Sequence, residues 1–266
     1  MKLENRVALV TGAARGIGAG IAQVLAENGA TVILTDSSEE VARTAAAILK
    51  QGYIAASYKM NVTNSRQVDE VVSEVLRKYQ RIDILVNNAG IYPRCKLTEM
   101  SDEFLQKMFD INVFGVFRCT RAILPGMLQR KYGKILNISS VTGPFVADGS
   151  GGQTAYASTK SAVWGFTVAL ALENAQYGIN VNCLCPGHID TPGGQEQTKT
   201  DAEFPDRSLG DLGHTVPLGR MGTPADVGKL ALFLVSDDAA YVTGTHVVID
   251  GGNIIQETYR GPYFAK

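Results

Sequence analysis

Short apolar runs alternate with longer amphipathic stretches along the chain. The runs at 7–10, 31–35, 54–58, 82–86, 134–138, 179–184 and 246–249 predict seven strands. Between the third and fourth, Val68, Val71, Val72, Val75, Leu76 and Tyr79 recur at offsets of three and four, marking one apolar face of a helix. Strands that alternate with helices predict parallel pairing, and right-handed crossovers place helices on both faces of the sheet. Val, Ile and Leu dominate the runs, as burial on both faces requires. The expected fold is therefore α/β, a doubly wound three-layer sandwich around a seven-stranded parallel sheet. No Pro/Gly/Ser linker and no repeat divides the sequence, which reads as one domain over 1–266. The stretch 191–215 has little periodicity and reads either as a flap over a site or as a surface excursion. The end of the chain, 253–266, reads as a frayed tail or an oligomer contact.

Composition narrows the partners. The 25 Lys+Arg and 26 Asp+Glu nearly cancel, and no basic block exceeds two residues, so the chain lacks the electrostatic footprint of a nucleic-acid or anionic-membrane binder. No window is long and apolar enough to predict a membrane span, and the N-terminus lacks the apolar core of a secretory signal. Cys95, Cys119, Cys183 and Cys185 show no disulfide framework, which points to a reducing, cytoplasmic home. Cys183 and Cys185 share one face of a predicted strand, a packing pattern more than a metal site. His188, His214 and His246 are scattered without ligand spacing, so a metal-free site and small-molecule partners are expected.

Two regions carry chemistry. After the first strand comes Thr11-Gly12-Ala13-Ala14-Arg15-Gly16-Ile17-Gly18, and then the helical pattern Ile21, Val24, Leu25. Glycines permit a close backbone approach, and a helix start offers free N–H groups and a positive dipole end to a pyrophosphate. The spacing departs from the commoner Gly-x-Gly-x-x-Gly fingerprint, and a merely tight strand-to-helix turn is the simpler alternative. Asp36 ends the second strand, where a carboxylate accepts from a ribose diol and repels a 2′-phosphate. It favours NAD(H) over NADP(H), although Arg15 pulls the other way. Asp36 also reads as an N-cap for the helix that follows it.

Tyr156 and Lys160 stand one turn apart on a predicted helix, so their side chains can converge. An ammonium beside a phenol in a desolvated cleft favours the phenolate and fits the tyrosine for proton exchange with an alcohol or carbonyl. An isolated Tyr-x3-Lys is more often a surface pair, but here other strand ends bring polar groups to the same sheet edge. These are Asn87-Asn88-Ala89-Gly90, Asn137-Ile138-Ser139-Ser140 and Pro186-Gly187-His188-Ile189-Asp190-Thr191-Pro192. Neither serine lies in a Gly-x-Ser-x-Gly elbow, which argues against acyl transfer.

Together these residues resemble the short-chain dehydrogenase/reductase family from Lys2 to about Gly252. The resemblance implies a Rossmann-like fold and NAD(H)-dependent interconversion of a secondary alcohol and a ketone by hydride transfer. It implies a catalytic set of Asn112, Ser140, Tyr156 and Lys160, with Asn112 drawn from Asp110-Ile111-Asn112-Val113-Phe114-Gly115. By that analogy Tyr156 is the acid/base, Ser140 polarises the carbonyl, Lys160 binds ribose and lowers the tyrosine pKa, and Asn112 holds a proton-relay water. The resemblance also assigns Gly12, Arg15, Gly16, Ile17 and Gly18 to the pyrophosphate and Asp36 to the adenosine ribose. Asn61 and Val62 fall near adenine, Asn88, Ala89 and Gly90 along the cofactor, and Pro186, Gly187, Ile189 and Thr191 near nicotinamide. A homotetramer is implied as well, and Phe109, Phe114, Phe117, Trp164 and Phe166 exceed what single-face burial needs.

Two departures stand out. Asn61 replaces the family's usual Asp and removes a charge from the adenine contact. Ser140 and Tyr156 are 16 apart, a few more than is usual, with the excess at 147–153. That polar insertion fits a hydrophilic alcohol such as a polyol, with Asp148, Gln153, Arg94 or His188 in contact; a solvated loop is the plainer alternative. The competing functions are an NADP(H)-linked ketone or β-ketoacyl reductase and a nucleotide-binding sensor without catalysis.

Overall fold

A computed structural model describes residues 1–147, 151–200 and 213–256, with 197–200 described by their backbone alone. Seven strands form one parallel sheet: β1 (Val7–Thr11), β2 (Thr31–Asp36), β3 (Ala55–Lys59), β4 (Ile84–Asn87), β5 (Gly133–Ile138), β6 (Ile179–Pro186) and β7 (His246–Ile249). Their order is β3-β2-β1-β4-β5-β6-β7, with every pair parallel. The helices are α1 (Gly16–Glu27), α2 (Val41–Lys50), α3 (Ser65–Tyr79), α4 (Asp102–Phe109), α5 (Gly115–Arg130), α6 (Thr154–Asn174), α7 (Pro192–Thr200) and α8 (Pro224–Val235). This is the doubly wound, Rossmann-like sandwich expected.

The period-two alternation of the strands divides the core. Ala8, Val10, Val32, Leu34, Val86, Leu136 and Leu184 pack on the side of α1, α2 and α8. Val7, Leu9, Ile33, Leu85, Ile135 and Val181 face α3, α5 and α6. Both faces are therefore dry, and at about 25 cal/mol per Å² of apolar area this double burial dominates the stabilisation. The strand order reverses between β1 and β4, so the crevice at their C-terminal ends is where an open α/β sheet receives a ligand.

Residues 102–130 hold two helices, α4 and α5, joined by a π-helical turn, Asp110–Phe114, which carries Asn112. Two local expectations are corrected. Residues 192–200, expected to lack periodicity, form α7: Pro192 opens it with a preset φ, and Thr191 Oγ1 accepts from Gly194 N at 3.2 Å. Asp36 does not cap α2, because its carboxylate is engaged by the N–H groups of Ala14 and Ser38 at 3.1 and 2.9 Å. The rest of the proposed flap, 201–212, and Asp148 in the insertion lie outside the described residues, as does the tail beyond 256.

Candidate active site

The β1–α1 turn is held open to an anion by its own backbone. Gly12 and Gly16 have φ of +64° and +61°, in the left-handed region that favours glycine. A Cβ on Gly18 would stand 2.3 Å from Gly12 O and 2.5 Å from Asn88 Nδ2, so no larger residue fits between α1 and the turn. Arg15 precedes α1 in extended conformation with no side-chain cap, and no acidic residue lies in the first turn. The N–H groups of Gly16, Ile17 and Gly18 thus begin a helix whose own first turn carries no acidic side chain. That donor set fits the pyrophosphate of a dinucleotide.

β4 braces this turn. Asn88 Nδ2 donates to both Thr11 O and Gly12 O at 2.9 Å, and Thr11 Oγ1 accepts from the N–H groups of Asn88 and Ala89 at 3.0 Å. Asn88 therefore acts through the glycine turn, its amide nitrogen already committed. Where the adenosine is expected, Asp36 ends β2, and the next residue, Ser37, lines a cleft of about 730 Å³ with Asn61, Thr63, Gln106 and Ile111 among its other walls. Asn61 Oδ1 accepts from the backbone N–H and the hydroxyl of Thr63, both at 3.0 Å, which folds the amide back on its own loop. Val62 is buried under Gly115, where a Cβ would come within 2.8 Å of Val62 Cγ2. Val62 therefore packs the start of α5 against the loop after β3.

The second cluster lies across the switch point. Tyr156 and Lys160 sit on α6, with Lys160 Nζ 5.6 Å from the centre of the Tyr156 ring. Lys160 is buried and donates to Ile138 O at 2.9 Å, at the end of β5. The Ser140 side chain lies by the Tyr156 phenol, lowering its pKa, and its hydroxyl accepts from Thr142 N at 3.1 Å. Ser139 instead turns inward, donating to Lys160 O at 2.9 Å. The two adjacent hydroxyls thus divide, one toward the phenol and one toward the backbone of α6. Asn112 is buried on the π turn, where its Oδ1 accepts from Ile91 N and its Nδ2 donates to Ile91 O, each at 2.8 Å. The same amide donates to Thr159 Oγ1 at 3.1 Å, beside Lys160 on α6. A Cβ on Gly90 would lie 3.3 Å from Asn112 Oδ1 and 3.6 Å from Lys160 Nζ, so a bare glycine keeps these groups close to the crevice.

Desolvation governs the charges. Burial pushes the Tyr156 phenol up to about 12, against a smaller lowering by Ser140. Burial likewise brings Lys160 down to about 8, with the nearby Cys183 and Cys185 thiols opposing. The expectation that Lys160 lowers the tyrosine pKa is therefore not met in the chain alone. The ammonium is turned onto a carbonyl, and the loss of hydration dominates the phenol.

The residues expected near nicotinamide follow β6. Pro186 ends that strand, Gly187 N donates to Ile249 O at 2.9 Å, and Ile189 is buried in a bridge to Gly222. Thr191 leads into α7. Two participants escape the sequence patterns. Tyr92 meets Tyr156 edge-on at 6.3 Å and hydrogen bonds with Thr191. Glu196 on α7 forms a fork-on-fork ion pair with Arg15, at 2.7 and 3.0 Å. An aromatic two residues past Asn-Ala-Gly is the only trace of the first, and nothing local marks the second. Among the described residues no group of three or more His, Cys, Asp or Glu could hold a metal, and no helix is long and apolar enough to cross a membrane.

The chain is similar to known proteins over almost its whole length. A family profile described as enoyl-(acyl carrier protein) reductase matches residues 12–253. Oxidoreductase UcpA of Salmonella typhimurium is 43% identical over 258 residues, covering 97% of each chain. The 3-oxoacyl-[acyl-carrier-protein] reductase FabG of Thermotoga maritima is 40% identical over 259 residues, covering 96% of this chain and all of that one (100%). The crystal structure of a levodione reductase superposes with a TM-score of 0.89 at 33% identity, covering 96% and 100%.

Proposed function

Because the chain belongs to the short-chain dehydrogenase/reductase family of oxidoreductases, we propose that it interconverts a secondary alcohol and a ketone with NAD(H), with Tyr156 as the proton-exchanging group. The observation that carries this reading is the grouping of Ser140, Tyr156 and Lys160 past the end of β5, with Asn112 and Lys160 both beside Gly90 after β4. A bound nicotinamide would accept or supply the hydride. The chain's own residues bind, orient and move the proton. Ser140 donates to the substrate oxygen and fixes it against the phenol, and Tyr156 gives that oxygen a proton in reduction or takes one in oxidation. Lys160 supplies positive charge to the cofactor ribose and the phenol, and Asn112 ties the π turn to the segment after β4.

Nucleotide selection rests on Asp36, whose carboxylate faces the ribose position and repels a 2′-phosphate. Gln153 Oε1, buried and without a hydrogen-bond partner among the described residues, supports a hydrophilic substrate. The second reading, an NADP(H)-linked ketone or β-ketoacyl reductase, is favoured by Arg15 and by the FabG relative. The enzyme is read as a homotetramer working in the cytoplasm on a small molecule.

The test is a panel of alcohols and ketones with both nucleotides, run on the wild type and on Tyr156→Phe. Turnover with NAD(H) should fall by about 10³ in the variant while dinucleotide binding persists. Undiminished turnover would end the acid/base assignment. Asp36→Ala should move the preference toward NADP(H).

A further inference from the structure

We propose that Glu196 sets nucleotide preference by competing with the 2′-phosphate of NADP(H) for the Arg15 guanidinium. The inference rests on the dinucleotide reading of the β1–α1 turn and deepens it by giving a residue of α7 a part in selection.

Arg15 is the one basic side chain between Gly12 and Gly18. Its Nη1 and Nη2 donate to Glu196 Oε1 and Oε2 at 2.7 and 3.0 Å. This bidentate geometry engages the guanidinium through the same planar edge that would grip a phosphate. Asp36 accepts from Ala14 N, one residue before Arg15, so a 2′-phosphate arriving there meets like charge. The cation that would offset this repulsion is already paired.

α7 is held in place for the pairing. Thr191 caps it through Gly194 N, and Gly16 lies against Thr191, with a Cβ on that glycine 3.6 Å from the threonine side chain. Glu40 and the Tyr92 phenol also face Arg15, and neither makes a bidentate contact with it. The Arg15 and Glu196 side chains are 52% and 63% exposed, so water screens the pair and a dianion can contest it. Glu196 therefore biases the choice between nucleotides and does not forbid the second.

The experiment titrates NAD+ and NADP+ calorimetrically into the wild type, Glu196→Gln, Arg15→Ala and the double variant, with thermal melts as a check on folding. Glu196→Gln should raise the NADP+ to NAD+ affinity ratio about fivefold, the scale of an exposed pair released. The gain should vanish once Arg15 is also removed. A ratio within about twofold of wild type in Glu196→Gln, with NAD+ still bound, overturns the role of Glu196 while leaving the dinucleotide reading intact. A gain that survives in the Arg15→Ala background also overturns it, because the effect is then one of net charge alone. A wild-type chain that binds neither nucleotide overturns both readings.

Discussion

Lys160 is the residue at which stability and function most plainly oppose each other. Its ammonium is buried, and its pKa falls from 10.5 to about 8. Below pH 8 it is charged in both folded and unfolded chains, and folding bears the full desolvation cost. Between about 8 and 10.5 the unfolded chain holds the extra proton, so stability rises with pH through that window. The Tyr156 shift has the opposite sense, lowering stability only above the ordinary phenol value of 10. Lys160→Met should therefore be more stable than wild type near pH 7, by about 3 kcal/mol, and should lack the rise above pH 8. Urea unfolding across this range checks it; parallel pH curves for the two proteins would contradict it. The variant should also lose dinucleotide affinity. At this scale the sequence marks Tyr156 and Lys160 through their four-residue spacing on a helix, and it cannot divide Ser139 from Ser140 without the resemblance. The division depends on where β5 meets α6, a tertiary contact. The direction of the Tyr156 shift is equally hidden, because burial is a property of the folded crevice.

At the scale of elements, the glycine turn is a brace as much as a ligand site. Gly18→Ala would drive a Cβ into Gly12 O and Asn88 Nδ2, and something must move. A loss of about 1–3 kcal/mol in stability is expected, with a marked loss of NAD+ affinity. Asn88→Ala should give a similar fall by removing donors from Thr11 O and Gly12 O. Chemical denaturation with calorimetric NAD+ titration reads both effects; Gly18→Ala with wild-type stability and affinity would contradict the packing account. The strands were legible because apolar runs bounded by polar turns are local signals, and the seven predicted segments differ from the observed ones only at their ends. The π turn was not legible: Asp110–Phe114 has ordinary helical composition, and only its packing beside α6 reveals the extra residue per turn. Helix α7 escaped because its polar sequence has no apolar stripe, and its start is set by Thr191 and Pro192.

At the scale of the whole molecule, Trp164, Val168 and Leu172 line one stripe of α6 at 40%, 46% and 83% exposure, with Phe114 and Phe117 also open to solvent. Such a face on one chain fits association, and the homotetramer proposed above predicts a single sedimenting species of four chains. Leu172→Glu should shift it to smaller species without unfolding the chain, whereas a wild-type monomer would remove the proposal. The sequence showed an excess of aromatic residues here, though Phe109 and Phe166 prove half-buried, Phe166 packing on Phe117 at 4.2 Å. The central claim is that the folded crevice holds the Tyr156 phenol ready to exchange a proton beside the nicotinamide. It is tested most directly by titrating phenolate absorbance with and without NAD+, taking wild type minus Tyr156→Phe. The phenol should ionise near pH 12 in the free chain and lower once the cationic nicotinamide shares its surroundings. A titration that NAD+ leaves unmoved would contradict the account.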